Sequence, residues 1–398
     1  MKRLTTRILV TALLVIGLVA VAGNALASVA ANAQIINQAT LSYDDGTGIQ
    51  TSSSTVTVTV ALVEVAPAID PGPDQSAAYT VPNIPLDNSF TITATANGPD
   101  SYGLTPNLVS ESNTGGATLT VTSDNPVLLG ATVTFDASST TTAIVVPADG
   151  TADAAVNGIE PGDTVVIGGD IRTVQSVSDN ATGTSTITLT VALPAAPGAG
   201  VLVAEQQVVT VQVESGTITA AGTDITVVKT LTATSVSDPG ESVTSGQITD
   251  TFTSGVANLT KYVRNVTNPV VGTNSVSYNA VTYYQADVSA EPNDLLEYLL
   301  IASNSGSGQV TAAEIEDVLP VSFVTLVTGG YSGQDFHYDD GTNPAVTYTA
   351  ANDGDPATYD GTDTLTVIVD SDTVAVGADG IIASGQSVYL LYQVTINP

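Results

Sequence analysis

The chain has no cysteine, no tryptophan, a single histidine and a single methionine among its 398 residues. Without cysteine it can form neither a disulfide nor a thiolate metal site. One histidine, His337, leaves few arrangements for acid–base catalysis or for imidazole metal binding. We therefore expect a protein that is not an enzyme. Its stability must come from packing, backbone hydrogen bonds, bound ions or assembly.

Basic residues are also scarce, with seven lysines and arginines against 39 acidic residues and a formal net charge of −32. A surface with this charge repels nucleic acid and anionic lipid, and it attracts divalent cations. Hydrophobic residues nevertheless make up 43% of the chain, which is too many for a disordered acidic tail. We expect a folded acidic protein with two or three cores and no nucleic-acid partner.

The N-terminal segment has the order of a secretory signal peptide. Three basic residues precede an apolar run over 8–22, and small residues follow it. The run is shorter than the roughly 20 residues that a membrane-spanning helix needs. Cleavage is predicted after Ala27 or Ala33, with Ala33 preferred, so that 1–33 is the signal and the exported chain has no membrane span. The alternative is an uncleaved segment that anchors the chain.

Apolar and polar residues alternate in many short runs, such as "STVTVTVAL" (54–62), "STITLTVAL" (185–193) and "DTLTVIVDS" (363–371). Valine and isoleucine then face one side and threonine the other, as half-buried strands require. Turns rich in Gly, Asp, Asn and Pro separate the runs. The sequence predicts an all-β protein built from immunoglobulin-like β-sandwiches.

Differences in strand length and turn composition divide the chain into regions. The middle region has short strands and tight turns such as "EPGD" and "GGD". After it, "QQVVTVQVESGTIT" again has the long Thr/Val strand pattern of the first region. We therefore predict a first sandwich at 34–126 and 206–225, an inserted small β-barrel-like subdomain at 127–205, and a second immunoglobulin-like sandwich at 226–398.

The segment "EPNDLLEYLLIASNSGSGQVTAAEIEDVLP" at 291–320 contains a turn, a strand, an Asn-x-Gly-x-Gly turn whose glycines permit positive φ, and a strand that ends at Leu-Pro. Asn293 stands where a glycine would be usual, and asparagine tolerates the same left-handed backbone. The pattern resembles the immunoglobulin-like repeat of bacterial and archaeal surface proteins known as domain of unknown function eleven. The matching positions are Pro292, Asp294, Tyr298, Ile301, Asn304, Gly306, Gly308, Ile315, Asp317, Leu319 and Pro320. The resemblance implies a β-sandwich fold, a cell-surface setting and a structural or adhesive role without a reaction.

Acidic turns in the second half of the chain are candidate calcium ligands, because Ca²⁺ prefers closely spaced carboxylate oxygens. None of these turns matches a complete EF-hand loop. The alternative is that each aspartate bonds its own turn in solvent. The candidate ligands are Asp339, Asp340, Asp353, Asp355, Asp360 and Asp363.

Two lysines, Lys229 and Lys261, lie in apolar strand patterns. A strand lysine can form an amide bond with an asparagine side chain when an acid lies nearby. Asn304 is a candidate acceptor, and Asp317 or Glu297 a candidate acid. The alternative is an ordinary ion pair at each lysine.

The segment that follows the predicted signal, "QIINQATLSYDDG", alternates as a strand does. A terminal strand can leave its own sandwich and fill an open edge in a neighbouring molecule. The alternative is pairing within its own first sandwich. The residues expected to make this assembly strand are Ile35, Ile36, Ala39, Leu41 and Tyr43.

From these features we expect a secreted structural protein of the cell surface that assembles with copies of itself into an extracellular filament or surface layer. No cysteine is present for lipid attachment, so other copies of the chain are the expected means of retention. The alternative is an adhesin or ligand-binding surface module that does not self-assemble. The sequence leaves open the choice between filament and layer, and it identifies no ligand.

Overall fold

The computed structural model describes residues 29–80, 84–220, 222–369 and 379–398. In these ranges the chain forms thirty β-strands and no α-helix, so the predicted all-β class is confirmed. Within the same ranges there is no helix long and apolar enough to cross a membrane. Most of the predicted signal, residues 1–28, lies outside the described residues.

The strands of the first half, in chain order, are β1 (Gln34–Asp44), β2 (Ile49–Thr59), β3 (Ala68–Pro71), β4 (Gln75–Ala78), β5 (Leu86–Thr93), β6 (Asp100–Ser112), β7 (Thr114–Gly115), β8 (Thr118–Val121), β9 (Val127–Leu129), β10 (Ala131–Val133), β11 (Ala143–Pro147), β12 (Thr164–Ile167), β13 (Asp170–Ser178), β14 (Thr184–Leu189) and β15 (Leu202–Glu214).

The strands of the second half are β16 (Thr217–Ile218), β17 (Ile225–Ser235), β18 (Ser242–Thr244), β19 (Ile248–Thr253), β20 (Ala257–Asn265), β21 (Thr273–Tyr278), β22 (Val281–Ala286), β23 (Leu295–Asn304), β24 (Glu314–Val318), β25 (Val324–Leu326), β26 (Phe336–Asp339), β27 (Val346–Tyr348), β28 (Ala357–Tyr359), β29 (Thr364–Ile368) and β30 (Ser387–Ile396).

The first sandwich consists of two facing sheets. One has the order β11-β14-β13-β12-β15-β5-β3, with β8 and β10 also on β15, and the other has the order β4-β19-β17-β6-β9, with β18 on β17. Every second residue of β5 and β17 points inward, so Phe90 and Ile92 meet Leu231 and Ala233 in one core with no exposed surface. The small pair β7–β16 lies beside the sandwich.

The inserted unit has a core of its own, in which Ile144, Ile159, Val165 and Ile187 are fully buried. Its strands β11 to β14 nevertheless continue the sheet of the first sandwich through the pairing of β12 with β15. At its start, β9 pairs with β6 and belongs to the sandwich. The inserted unit therefore begins after β9, later than the predicted 127.

The predicted start of the second sandwich, at 226, lies farther from the boundary that the structure has. Strands β17, β18 and β19 lie in the first sandwich, because their alternate apolar residues complete its core and β17 pairs with β6 over most of its length. The second sandwich begins with β20 at Ala257. The alternation pattern shows that a segment is a strand, but it does not show which core the strand covers.

The second sandwich has an eight-stranded sheet, β21-β22-β20-β23-β30-β26-β27 with β25 on β30, facing the three strands β24-β29-β28. Its core includes Leu300, Phe336, Leu365 and Tyr392. A second cluster lies on the outer face of the large sheet, where the β21–β22 hairpin packs against Leu299 and its neighbours.

The two sandwiches meet at the Asn-x-Gly-x-Gly turn. Asn304 Oδ1 accepts the N–H groups of Val256 and Gly306 at 2.9 Å each. Its Nδ2 donates to the carbonyls of Gly308, at 2.7 Å, and Ile382, at 2.9 Å. A Cβ on either glycine would overlap the backbone around Ser254. These glycines are therefore needed for close backbone approach, and not for the positive φ that was predicted, whereas Asn293 does have a φ of 72°.

We expect Asn304→Ala to lower the free energy of unfolding by about 3 kcal/mol, because it leaves buried backbone donors and acceptors without partners. The matched control is Asn258→Ala, an exposed residue with one hydrogen bond to Ser305, which should change stability by less than about 0.5 kcal/mol. Chemical denaturation followed by tyrosine fluorescence measures both. Equal effects of the two substitutions would contradict this assignment.

Candidate functional site

The candidate functional site is the N-terminal hairpin β1–β2, whose base is fixed in the first sandwich. Ala31 N donates to the Asn97 carbonyl at 2.8 Å. Asn32 N donates to the Val60 carbonyl at 2.9 Å, and Val60 N donates to Ala33 at 3.0 Å. Both ends of the hairpin are therefore held at the same point of the body.

This anchoring bears on the predicted signal cleavage. Ala30, Ala31 and Ala33 are buried, and their backbone takes part in the bonds that hold the hairpin base. Cleavage after Ala33 would remove this packed segment from the fold. Cleavage after Ala27, the other predicted position, would leave the segment in place; the signal and its cleavage site stay predictions.

Beyond its base the hairpin projects from the body. Strands β1 and β2 pair without a break from Gln34↔Thr59 to Asp44↔Ile49, and every residue of both strands is exposed. Eleven residues of extended chain span roughly 35 Å. The expected strand is present as β1, and it pairs with β2 of the same chain and is not free. This agrees with the alternative in that the strand pairs within its own chain, although β1 and β2 form a separate two-stranded sheet. Assembly through this strand stays a prediction.

The hairpin has an apolar face and a polar face. Ile35 lies opposite Val58, and Leu41, Tyr43 and Val56 point to the same side. These five side chains are between 49% and 64% exposed. Of the residues predicted for assembly, Ala39 also belongs to this face. We call it the apolar hairpin face.

The opposite face carries mostly threonine, serine and glutamine. Ile36 lies on it, opposite Thr57, and not with the other predicted assembly residues. Neither 34–43 nor 49–59 contains a charged residue, although the chain has a net charge of −32. A two-stranded hairpin is at best marginally stable in water by itself. The apolar hairpin face also carries Asn37, Gln50, Ser52 and Ser54. Its cluster of exposed apolar side chains on such an element makes it a candidate interaction site.

The six candidate calcium ligands do not gather into one site. In the described part of the chain, no group of three or more acidic or histidine side chains is placed to hold a metal ion. Each aspartate instead bonds groups close to it in sequence, or a neighbouring tyrosine. Asp339 accepts from Gly341 N and Tyr278, and Asp340 from Thr342 N and Asn343 N. Calcium binding stays a prediction.

The second acidic segment behaves in the same way. Asp355 accepts the backbone N–H groups of Thr349 and Ala357, and Asp353 accepts from the Thr349 hydroxyl. Asp360 accepts three successive backbone N–H groups, which lowers the pKa of its carboxyl. Asp363 bonds the hydroxyl of the next residue. These carboxylates stabilise turns.

Glu297, on the outer face of β23, is a buried carboxylate of the second sandwich. Arg264 Nε donates to it at 2.7 Å, Tyr283 at 2.7 Å, Tyr331 at 2.9 Å and Gln393 at 3.0 Å. Burial by itself would raise the pKa of Glu297, but these hydrogen bonds outweigh it and hold the pKa below its ordinary value. The cluster joins the β21–β22 hairpin to the main sheet.

Of the residues suggested for a lysine–asparagine bond, the structure brings together Lys261 and the predicted acid Asp317, but not the predicted acceptor Asn304. Lys261 forms an ion pair with Asp317 at 2.6 Å and lies 4.4 Å from the ring centre of Tyr298. The side chain of Asn304 is fully used at the turn between the sandwiches. Glu297 is paired with an arginine, so the predicted acceptor and acids do not form a set around either lysine.

Comparisons with known proteins identify no family for this chain. No protein-family model matches the sequence, and no curated protein sequence matches it. The C-terminal domain of the antigen I/II polypeptide BspA from Streptococcus agalactiae is 10% identical, with a TM-score of 0.33 over 83% of this chain and 91% of that one. The C-terminal domain of the antigen I/II-family protein AspA from Streptococcus pyogenes is also 10% identical, with a TM-score of 0.29 over 84% and 92%. At these TM-scores the likeness supports no inference.

We expect Glu297→Gln to lower the free energy of unfolding by about 3 kcal/mol at neutral pH, because Arg264 loses its charged partner. The folded pKa of Glu297 lies below its ordinary 4.5. The carboxylate therefore stabilises the fold fully above that pH, and this contribution is lost as the pH falls through the folded pKa. The difference between wild type and variant should shrink as the pH falls below about 4.5.

The measurement is chemical denaturation by tyrosine fluorescence at several pH values. The matched control is Glu316→Gln, at an exposed position, which should show no such trend. A difference for Glu297→Gln that stays constant down to strongly acid pH would contradict the prediction.

Proposed function

We propose that this chain is an exported structural protein of the cell surface that associates with copies of itself through the apolar hairpin face, building a filament or a layer. The observation that carries the proposal is the uncovered face of Ile35, Leu41, Tyr43, Val56 and Val58 on a hairpin that projects from the body. The resemblance of 291–320 to the repeat of surface proteins agrees with this role.

Charge limits where a second copy could bind. Two chains of net charge −32 repel each other over most of their surfaces. Apart from Asp44 at the end of β1, the strands of the hairpin carry no charge, so most of their length can be buried against another copy without desolvating a carboxylate. The aspartates Asp44 and Asp45 lie at the tip, where they stay in solvent when the two strands are covered.

The proposed binding site for the hairpin is a groove on the second sandwich. An apolar groove of about 350 Å³ lies between its two sheets, lined by residues such as Leu259, Ala302, Val310, Ala313 and Ile315. The first half of β20 and the strand β24 form its sides. Among the described residues, β20 has a ladder partner on its groove side only at Val263, so its first half offers free backbone donors and acceptors.

The hairpin enters this groove as a unit, because β1 is paired with β2 along its full length. Its edge adds backbone hydrogen bonds to β20, while its apolar face covers the groove. The hairpin lies at one end of the chain and the groove in the last sandwich, so the contact is head-to-tail. Such a contact joins two different surfaces, and it generates open polymers when its rotation does not close a ring.

We expect the double substitution Leu41→Asp with Val56→Asp to abolish assembly, because it places two charges on the apolar hairpin face. The matched control is Thr40→Asp with Thr57→Asp, which adds the same charge at adjacent positions on the polar face and should still assemble. Light scattering after size exclusion, together with electron microscopy, measures assembly of the mature chain.

Removal of 34–59 should likewise give a folded monomer. Polymers formed by this deletion variant, or by the Leu41/Val56 variant, would contradict the hairpin as the contact. A wild-type chain that stays monomeric at high concentration and high salt would overturn self-assembly itself, and would favour the adhesin alternative.

A further inference from the structure

Three polar side chains are enclosed together in the core of the first sandwich. Lys229 on β17 and Asp250 on β19 belong to one sheet, and Asn88 on β5 belongs to the facing sheet. None of the three has exposed surface. Lys229 Nζ donates to Asp250 Oδ2 at 2.7 Å, and Asn88 Nδ2 donates to the same oxygen at 2.9 Å. One carboxylate oxygen thus holds an amine and a carboxamide side by side.

The surroundings of these three groups are apolar. Phe90 and Ile248 of one core cluster, and Val227 and Phe252 of the next, flank them along the strands. Burial in these surroundings lowers the pKa of Lys229, although the hydrogen bond with Asp250 acts in the opposite direction. The neutral amine, which is the nucleophilic form of lysine, is thereby made more accessible.

The hydrogen bonding of the cluster is incomplete. Asn88 Oδ1 and Asp250 Oδ1 are both buried, and neither has a hydrogen-bond partner in the described structure. Buried polar atoms are nearly always paired, so two orphans in one small cluster need an explanation. A proton on Asp250 would let that carboxyl donate and polarise the Asn88 carbonyl, which prepares the amide carbon for attack.

We propose that Lys229 and Asn88 form an intramolecular amide bond across the sandwich, with Asp250 as the acid–base group. The ammonium of Lys229 gives a proton to Asp250, and the neutral Nζ attacks Cγ of Asn88. The Cγ–Nδ2 bond breaks while the Nζ–Cγ bond forms. The second Nζ proton passes through Asp250 to Nδ2, which leaves as ammonia. The proton that remains on Asp250 is taken up by ammonia or solvent, so no oxidant or co-reactant is needed.

This bond is independent of the proposed assembly. It joins strands of facing sheets that are far apart in sequence, and it gives a chain without cysteine a covalent cross-link inside its core. Holding the reactants in a closed, water-poor site supplies the effective concentration that an amide exchange requires. Sequence alone indicated the lysine, but not the asparagine and aspartate that surround it.

The test is the mass of the intact purified chain together with a peptide map. The wild-type protein should be lighter than its sequence by one ammonia, and digestion should give a branched peptide in which the Lys229 amine carries the segment around Asn88. Because cyclisation at an asparagine or at an N-terminal glutamine also releases ammonia, a mass deficit without the branched peptide would overturn the proposal. So would the full sequence mass.

Substitutions test the role of each residue in forming the amide bond. Asp250→Asn keeps the size of the side chain and should give the full mass without the branched peptide, as should Lys229→Met. The control Lys261→Met removes the exposed lysine of the second sandwich and should keep both signatures. In the two variants without the bond, Tm should fall by roughly 10 °C. A branched peptide that persists in Asp250→Asn would remove the acid–base role of that residue.

Discussion

The excess of acid over base is the constraint on which the rest of the structure depends. Four basic residues fall within the described part of the chain, and each of them is paired with a carboxylate. Three of these pairs place a carboxylate where water is scarce, at Asp250, Glu297 and Asp317. An isolated buried carboxylate costs several kcal/mol or more. The few cations therefore neutralise these three carboxylates. Other buried carboxylates have no cation and are held by hydrogen bonds instead, as Glu205 is by Gly130 N and Gln207, and Asp340 by Thr342 N and Asn343 N.

The same constraint shapes the exterior. Aspartates in the turns use their oxygens on backbone N–H groups, as Asp360 does, so they stabilise the connections between strands without any cation. The outside of the molecule is then strongly negative, and the proposed contact between copies uses a surface that carries little charge. The hairpin strands are long exposed elements whose one acidic residue, Asp44, lies at the tip. The apolar hairpin face is a part of this exterior that carries no acidic side chain.

Much of this could be predicted from alternation alone, because strands have a side-chain period of two. The β1 strand, the all-β class and the left-handed Asn293 followed from local pattern. The polar cluster also left a local trace, since Asn88 has the same parity as Phe90 and Lys229 the same parity as Val227 and Leu231. The local alternation pattern does not identify which strand of the other sheet a given strand faces. Asn88 could be matched with Lys229 only once β5 and β17 were known to lie in opposite sheets, and the domain boundary moved for the same reason.

The proposed cross-link and the proposed contact through the hairpin would together define a path for force. In a head-to-tail polymer, tension would enter each subunit at the hairpin base, at Val60, and leave through the second sandwich, which begins just after β19. Along the backbone this path includes the inserted unit and most strands of the first sandwich. A bond between Asn88 and Lys229 shortens it, because the chain from 89 to 228 then lies outside the loaded covalent path. The inserted unit carries no tension in that arrangement, so its sheet extension and separate core can vary without weakening the polymer.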